Sequence, residues 1–111
     1  MILKKLEEVL KLHIMQQKKA GIDVVQIFDS WAGLIQEDDL EEYCFVPNKN
    51  LVNFCREIEI PSICFPKGLK NNYKKFIEIV KPDAINIDQE IDPMWAKTNL
   101  NNICIQGGMD P

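Results

Sequence analysis

The chain has 111 residues, which is enough for one modest domain with a hydrophobic core. Its formal net charge of -4 gives no overall attraction to nucleic acid or to an anionic membrane surface, so we expect neither as a partner. No apolar run approaches the roughly 18 residues that a membrane-spanning helix requires.

The four cysteines contain no CxxC pair, and His13 is the sole histidine of the sequence. The first residues do not resemble a signal peptide, so we expect the reduced thiols of a cytoplasmic protein rather than a disulfide framework. No metal site is expected. All four cysteines are interpreted as core or semi-core residues; they are Cys44, Cys55, Cys64 and Cys104.

The first half of the chain predicts helix, strand and helix. Residues 2–19 have apolar side chains at helical spacing on one face, among them Ile2, Leu6, Val9 and Leu10, and Gly21 ends this helix. Residues 23–28 read as a short strand that is apolar on both faces, which is typical of buried parallel strands. Helical spacing then continues on both sides of Pro47, which either kinks one helix or separates two.

The second half predicts three further strands, at residues 60–65, 83–88 and 102–106, with a helix between each pair. Strands that alternate with helices indicate parallel pairing through right-handed crossovers, so the fold class is α/β. Two architectures fit this pattern, an open doubly wound sheet or part of an eight-stranded barrel. The open sheet is less favoured, because the chain has no glycine-rich phosphate-binding motif.

Each predicted strand ends in polar or conformationally permissive residues. In parallel α/β folds, ligands bind at the carboxyl ends of the strands. Four such ends on one rim would form a site, whereas four scattered ends would be ordinary loops, and both interpretations remain open from spacing alone. The ends are Asp29–Ser30, Pro66–Lys67–Gly68, Asp88–Gln89–Glu90 and Gln106–Gly107–Gly108.

Four stretches are similar, in order and spacing, to the middle-to-late part of the uroporphyrinogen decarboxylase family: "AGIDVVQIFDSWAG", "PSICFPKG", "DAINID" and "QGGMDP". The resemblance covers essentially residues 1–111, and "QIFDSWAG" is its most specific block. The chain departs from the family pattern at Gln89, where the family more often has Trp, and at Gly108, where it usually has Asn.

The resemblance implies a partial (β/α)8 TIM barrel of about four strands, with residues 1–111 as a fragment of a single decarboxylase domain. The full-length protein would be a cytoplasmic homodimer of porphyrin and heme biosynthesis that needs no metal or organic cofactor. It would remove the four acetate carboxyl groups of uroporphyrinogen III to give coproporphyrinogen III. This chemistry needs a pyrrole ring that accepts a proton at carbon, and donors or cations that bind several carboxylates.

Ser30 matches the substrate-contacting serine of the family, although a turn or helix-capping serine is the alternative. Asp29 is expected either to support the turn or to function in the site, since an acid would repel a polyanion. Lys67 either binds a carboxylate or is an ordinary solvated lysine, and Gln106 and Gly107 are expected to line the barrel mouth. Near them, Trp31 is expected to pack under its loop or to form an aromatic wall, and Gly33 with Ala32 to allow close backbone approach.

No catalytic residue is identifiable in this segment, because the arginine-rich segment, aspartate, tyrosine and histidine that the family uses lie outside residues 1–111. We therefore expect the isolated chain to be inactive and, with one sheet face uncovered, to self-associate or fold poorly. One alternative is a corrinoid-dependent methyltransferase of the same barrel family, which would need zinc ligands at strand ends. Another is a non-catalytic half-barrel that assembles with itself or a partner.

Overall fold

The structure is a computed structural model that describes residues 2–110. Helices and strands alternate along the chain, and each expected strand is present within two residues of its expected bounds. The helices are α1 (Ile2–Lys19), α2 (Val46–Glu57), α3 (Asn72–Val80) and α4 (Pro93–Asn99). The strands are β1 (Val25–Asp29), β2 (Ser62–Pro66), β3 (Ala84–Ile87) and β4 (Cys104–Gly107).

The four strands form one parallel sheet in the order β1-β2-β3-β4. Residues of the sheet that face the helices, such as Cys64 and Ile85, belong to the same core as Val52, Phe76 and Leu100 of the helices. A doubly wound sheet would reverse its strand order and carry helices on both faces. The sequential order with helices on one face decides between the two expected architectures and confirms a partial barrel.

Within residues 2–110, no helix covers the opposite face of the sheet, which we call the concave face. Gln26 of β1 and Gln106 of β4 lie on it, and their side chains form a hydrogen bond of 3.2 Å. Side chains stand roughly perpendicular to a sheet, and three strand spacings of about 4.8 Å separate β1 from β4. The hydrogen bond therefore requires a sheet that curls toward this face, as the wall of a barrel does.

Helix α1 differs from the expectation in the face that it buries. Ile14 is its buried residue, at 5% exposure, and it packs with Val25 and Leu51. The expected apolar face is instead solvent-exposed, with Leu6 at 52% and Val9 at 61%. Helical spacing correctly groups these side chains on one face, but no segment of the described chain covers that face.

Pro47 does not separate two helices, because helical structure is continuous across it. A π-helical turn, Glu41–Phe45, leads directly into α2, and Pro47 lies in the first turn of α2. Proline is tolerated there because a first-turn N–H has no partner within its own helix. The π turn buries Cys44 and Phe45 against the core.

The expectation of four core cysteines is wrong for one of them. Cys44, Cys55 and Cys64 are fully buried, whereas Cys104 is exposed on the concave face. Its neighbour Ile105 packs toward the helices instead, as the alternation of side chains along a strand requires. All four thiols are free.

We predict that one thiol of the four reacts rapidly with an aromatic disulfide reagent in the dilute folded chain at pH 8. The thiolate is the reacting species, and burial, followed by the nearby Asp29 carboxylate, raises the pKa of Cys44 to about 12. Burial also raises the pKa of Cys55 and of Cys64. The rapidly reacting thiol should be lost in Cys104→Ser, and all four thiols of the wild type should react in urea. Rapid reaction of two or more thiols in the folded chain would contradict the burial of the other three.

Candidate active-site rim

All four strands are parallel, so their carboxyl ends lie at one edge of the sheet. The expected site residues are therefore brought to one rim: Ser30 directly follows β1, Lys67 follows β2, and Gln106 and Gly107 end β4. Asp29 is the last residue of β1. The requirement that strand ends share an edge is met, which makes a common site geometrically possible.

Main-chain hydrogen bonds join the loops along this rim. The Lys67 N–H donates to the carbonyl of Asp29 at 3.1 Å, and the Gly33 N–H donates to the carbonyl of Lys67 at 2.9 Å. At the other end of the sheet, the Gly108 N–H donates to the carbonyl of Ile87 at 2.9 Å. These bonds hold the loop after β1 against the loop after β2, and the loop after β4 against the end of β3. The rim is therefore a connected structure rather than a set of independent loops.

The loops after β1 and β2 touch at two glycines. A β-carbon at Gly33 would lie 2.7 Å from the Gly68 carbonyl oxygen, and Gly68 itself has a left-handed φ of +86°. Ala32 beside this contact is fully buried. Close backbone approach at Ala32–Gly33 was expected, and the geometry shows its partner to be the Lys67–Gly68 loop.

Asp88 anchors the same loop from the end of β3. Its side chain is 6% exposed, and its Oδ2 accepts from the Tyr73 hydroxyl at 2.8 Å and from the Gly68 N–H at 2.9 Å. Its Oδ1 accepts from the Glu90 N–H at 3.0 Å. Burial of the phenol, and then its bond to this carboxylate, raises the pKa of Tyr73, which keeps the hydroxyl protonated as a donor. Asp88 thus supports the rim from beneath.

Asp29 is held on the helix side of the sheet. Its Oδ2 accepts from the Asn48 Nδ2 at 3.2 Å, and Asn48, which is 4% exposed, also donates to the Cys44 carbonyl at 2.8 Å. Asp29 therefore connects the end of β1 to α2. This placement favours the supporting role for Asp29 over direct contact with a ligand.

Ser30 and Lys67 are both solvent-exposed on the rim. The ion pair found among the described residues joins Glu7 and Lys11 of α1 instead, so it does not engage Lys67. A hydroxyl and an ammonium in adjacent rim loops can both donate to a carboxylate. Whether they do so remains a prediction.

An aromatic pair lies next to the rim, on the concave face. Phe28 lies on the same face of β1 as Gln26, which precedes it by two residues, and its ring meets that of Phe65 edge-on, with the centroids 6.2 Å apart. Phe28 is 65% exposed, which is unusual for a phenylalanine in a strand. Trp31 in the adjoining loop is also exposed, at 74%, so it does not pack under the loop.

Gln106 and Gly107 close the rim at β4. Gln106 donates its side-chain amide to Asn86 at 2.8 Å and to Gln26 at 3.2 Å. Gly107 has a left-handed φ of +91°, and a β-carbon there would lie 2.5 Å from the Ile87 carbonyl oxygen. Glycine is therefore required at this position for both conformation and space.

Sequence reasoning missed four residues that position the rim: Gln26, Asn48, Tyr73 and Asn86. Asn48 and Tyr73 lie at helical positions among apolar neighbours, and their partners are distant in sequence. Gln26 and Asn86 were detectable in principle, because each is a polar residue inside an otherwise apolar strand.

The cysteines that the methyltransferase alternative would use do not meet. Cys64 is buried on the helix side of β2, whereas Cys104 is exposed on the concave face. Across residues 2–110, no group of three or more His, Cys, Asp or Glu side chains is arranged to hold a metal ion. His13 lies exposed on α1. Over the same residues, no helix is long and apolar enough to cross a membrane.

Sequential parallel strands, helices on one face and polar residues at the carboxyl ends of the strands define a segment of a (β/α) barrel. Comparison with known proteins identifies which barrel this is. The family model described as uroporphyrinogen decarboxylase matches residues 1–111. The chain belongs to the uroporphyrinogen decarboxylase family.

Curated relatives of the chain are named uroporphyrinogen decarboxylase. The uroporphyrinogen decarboxylase of Rickettsia akari (strain Hartford) is 36% identical over 101 residues, which cover 89% of this chain and 30% of the relative. That of Rickettsia bellii (strain RML369-C) is 37% identical over 101 residues, with the same coverage. That of Wolbachia sp. subsp. Drosophila simulans (strain wRi) is 36% identical over 112 residues, 99% of this chain and 33% of the relative. The chain thus spans about a third of the length of these relatives.

We predict that Gly33→Ala displaces the Lys67–Gly68 loop and lowers the free energy of unfolding by about 1–3 kcal/mol, the usual effect of overpacking. Urea unfolding measures the stability, and amide NMR shifts of Lys67 and Gly68 report the loop. Gly21→Ala is the control, because Gly21 has a left-handed φ of +100° but nothing within 4 Å. Gly21→Ala should destabilise the chain without changing the amide NMR shifts of Lys67 and Gly68. Unchanged shifts of these two amides in Gly33→Ala would refute the contact between Gly33 and Gly68.

Proposed function

We propose that this chain supplies part of the active-site mouth of a cytoplasmic uroporphyrinogen decarboxylase of heme biosynthesis. The complete enzyme removes the acetate carboxyl groups of uroporphyrinogen III, giving coproporphyrinogen III, without a metal or organic cofactor. Family membership over residues 1–111 supports this proposal, as do relatives that carry the enzyme's name.

The observation that carries the proposal is the pairing of Ser30 and Lys67 on adjacent, hydrogen-bonded rim loops. The Lys67 N–H binds the carbonyl of Asp29, the residue before Ser30, so the main chains that carry the two side chains are held together. Both are exposed, and both can donate to an acetate or propionate carboxylate. Holding the carboxylates in place lowers the entropic part of the barrier.

The remaining rim residues have supporting roles in this proposal. Gln106 and Gly107 line the mouth at β4, with Gln106 oriented by its two amide bonds. Asp29 stays bound to Asn48 on the helix side, where its charge does not oppose an anionic substrate. Phe28 offers an apolar surface to a pyrrole ring beside the carboxylate-binding groups.

The proton transfer at the pyrrole carbon is assigned to residues outside this chain. That proton makes the ring an electron sink, so the pair released when the carboxylate leaves as carbon dioxide is accepted by the ring. Arg56 is the sole arginine of the sequence, and it binds the Lys81 carbonyl at 2.7 Å on the outer surface, away from the rim. We therefore propose that the 111-residue chain alone has no decarboxylase activity.

A segment exchange tests the enzyme proposal. Residues 1–111 replace the aligned segment of the Wolbachia relative, which matches 99% of this chain, and coproporphyrinogen formation from uroporphyrinogen is measured. We expect an active chimaera whose kcat/KM falls about 10- to 100-fold in Ser30→Ala, the effect of losing one hydrogen bond to a charged group.

Lys67→Ala should produce a decrease of similar size, whereas the control Lys74→Ala, an exposed lysine of α3, should leave kcat/KM unchanged. A folded chimaera without activity would refute the proposed function. Full activity in Ser30→Ala would refute the assignment of Ser30.

We also propose, from the family resemblance, that the complete enzyme is a homodimer, and, from the surfaces of this chain, that the isolated chain self-associates. The sheet has open edges at β1 and β4, and the concave face exposes Phe28. Unpaired strand edges beside apolar surface favour association. These features also suit the non-catalytic half-barrel, in which two such units assemble without chemistry.

Analytical ultracentrifugation should show species larger than the 12.8 kDa monomer at high micromolar concentration. Cys104 identifies the surface, because its reaction with a thiol reagent should slow as concentration rises if the concave face is covered. Phe28→Asp should restore the monomer, and Leu6→Lys on the exposed face of α1 is the matched control. A compact monomer at every concentration would contradict self-association.

A further inference from the structure

One buried carboxylate, that of Asp88, accepts hydrogen bonds from three separate segments of the chain. Its Oδ2 accepts from the Tyr73 hydroxyl of α3 at 2.8 Å and from the Gly68 N–H of the loop after β2 at 2.9 Å. Its Oδ1 accepts from the Glu90 N–H of the loop after β3 at 3.0 Å. Removal of this carboxylate would therefore release two rim loops and one helix at the same time.

The three donors require a side chain that only accepts hydrogen bonds. A carboxylate has two oxygens and no N–H, whereas an asparagine of the same size would direct its own donor group at one of the three donors. Asp88 is 6% exposed, and the ion pair found within residues 2–110 joins Glu7 and Lys11 of α1. Burial of a charge without a cation is costly, so the three hydrogen bonds are what hold this carboxylate in place.

The bond between Asp88 and Gly68 determines the position of a loop, beyond satisfying a polar group. Gly68 is half-buried, so water could bind its N–H if the loop moved outward. The carboxylate instead holds the loop so close to the loop after β1 that a β-carbon at Gly33 would lie 2.7 Å from the Gly68 carbonyl oxygen.

Main-chain bonds extend this control to both side chains that are expected to bind carboxylates. Lys67 directly precedes the glycine that Asp88 binds, and the Lys67 carbonyl accepts from the Gly33 N–H at 2.9 Å. The Lys67 N–H donates to the carbonyl of Asp29, which precedes Ser30, at 3.1 Å. Asp88 at the end of β3 is therefore connected to Ser30 at the end of β1, two strands away.

Resting on the proposed function, we infer that Asp88 is a positioning residue for the decarboxylase reaction and acts without contacting the substrate. It holds the loops after β1 and β2 at the separation at which Ser30 and Lys67 donate to carboxylates of one substrate molecule. Without it both donors remain in the chain, but the loops that carry them separate, so the substrate is held less well and the reaction slows.

The opposite end of β3 offers a matched control. Asp83 directly precedes β3, and its carboxylate accepts from the N–H of Ser62, the first residue of β2, at 2.9 Å. Asp83 and Asp88 thus each bind a main-chain N–H across from β3, one at the amino end of the strands and the other at the carboxyl end. A purely structural contribution is expected at both ends, whereas a contribution to the reaction is expected at Asp88 alone.

Steady-state kinetics of the segment-exchange chimaera, per mole of folded enzyme, test the inference. Asp88→Ala should lower kcat/KM by about tenfold, and Asp83→Ala should change it by less than about twofold even where both lower stability. Equal losses of kcat/KM in Asp83→Ala and Asp88→Ala would overturn the inference.

A double-mutant cycle shows whether Asp88 acts through the two donors. Once Ser30 and Lys67 are both alanine, Asp88→Ala should lower kcat/KM by less than about twofold, since coupled residues are not additive. A tenfold loss in that background would overturn the inference. If Asp88→Ala does not fold, Tyr73→Phe/Asp88→Ala takes its place, because it also removes the hydroxyl that the first change leaves buried without an acceptor.

Amide NMR of the 111-residue chain tests the same inference without activity. Asp88→Ala should shift the signals of Gly33 and Ser30, which belong to the loop beyond the one that Asp88 binds, and Asp83→Ala should leave both unshifted. Unshifted signals in Asp88→Ala would overturn the inference. An inactive chimaera of unmutated sequence combined with shifted signals would refute the decarboxylase proposal and support the positioning of the rim loops by Asp88.

Discussion

Each strand of a parallel sheet ends in main-chain groups that the sheet no longer pairs, and here the neighbouring loop pairs them. The Lys67 N–H binds the carbonyl of Asp29, and the Lys67 carbonyl binds the Gly33 N–H. Buried main-chain groups must find such partners, so the loops cannot move independently without leaving them unpaired. The positions of Ser30 and Lys67, and hence any site that they form, depend on this pairing.

Two acids of the rim, Asp29 and Asp88, are hydrogen-bonded on the helix side or in the interior rather than at the mouth. Asp29 accepts from Asn48 on the helix side, and Asp88 accepts from Tyr73 and two main-chain N–H groups in the interior. Hydrogen bonds to a carboxylate stabilise its charged form in place. A chain with net charge -4 can in this way present a hydroxyl and an ammonium on an edge that also contains the carboxylates of Asp29 and Asp88.

The alternation of strands and helices predicted that the strands are parallel, because few connections between them are physically allowed. The sequence also predicted the close approach at Gly33, whereas spacing alone left open both the strand order and the shared edge. It did not predict which face of α1 is buried, since periodicity groups Leu6 with Val9 but cannot say whether another segment covers them. Asn48 and Tyr73 were missed for a related reason: their roles come from partners that only the folded chain brings near.

The concave face combines features that a filled barrel interior would not. Interiors of eight-stranded barrels are packed with branched apolar side chains in layers, yet the layer nearest this mouth contains Phe28, Phe65, Asn86 and Gln106. Amides in such a layer need partners, and Gln106 supplies some of them by donating to Asn86 and to Gln26. A layer of this kind is stable when water or a polar ligand occupies the space above it. The concave face therefore carries polar side chains as far from the rim as Gln26, where a filled barrel would have branched apolar ones.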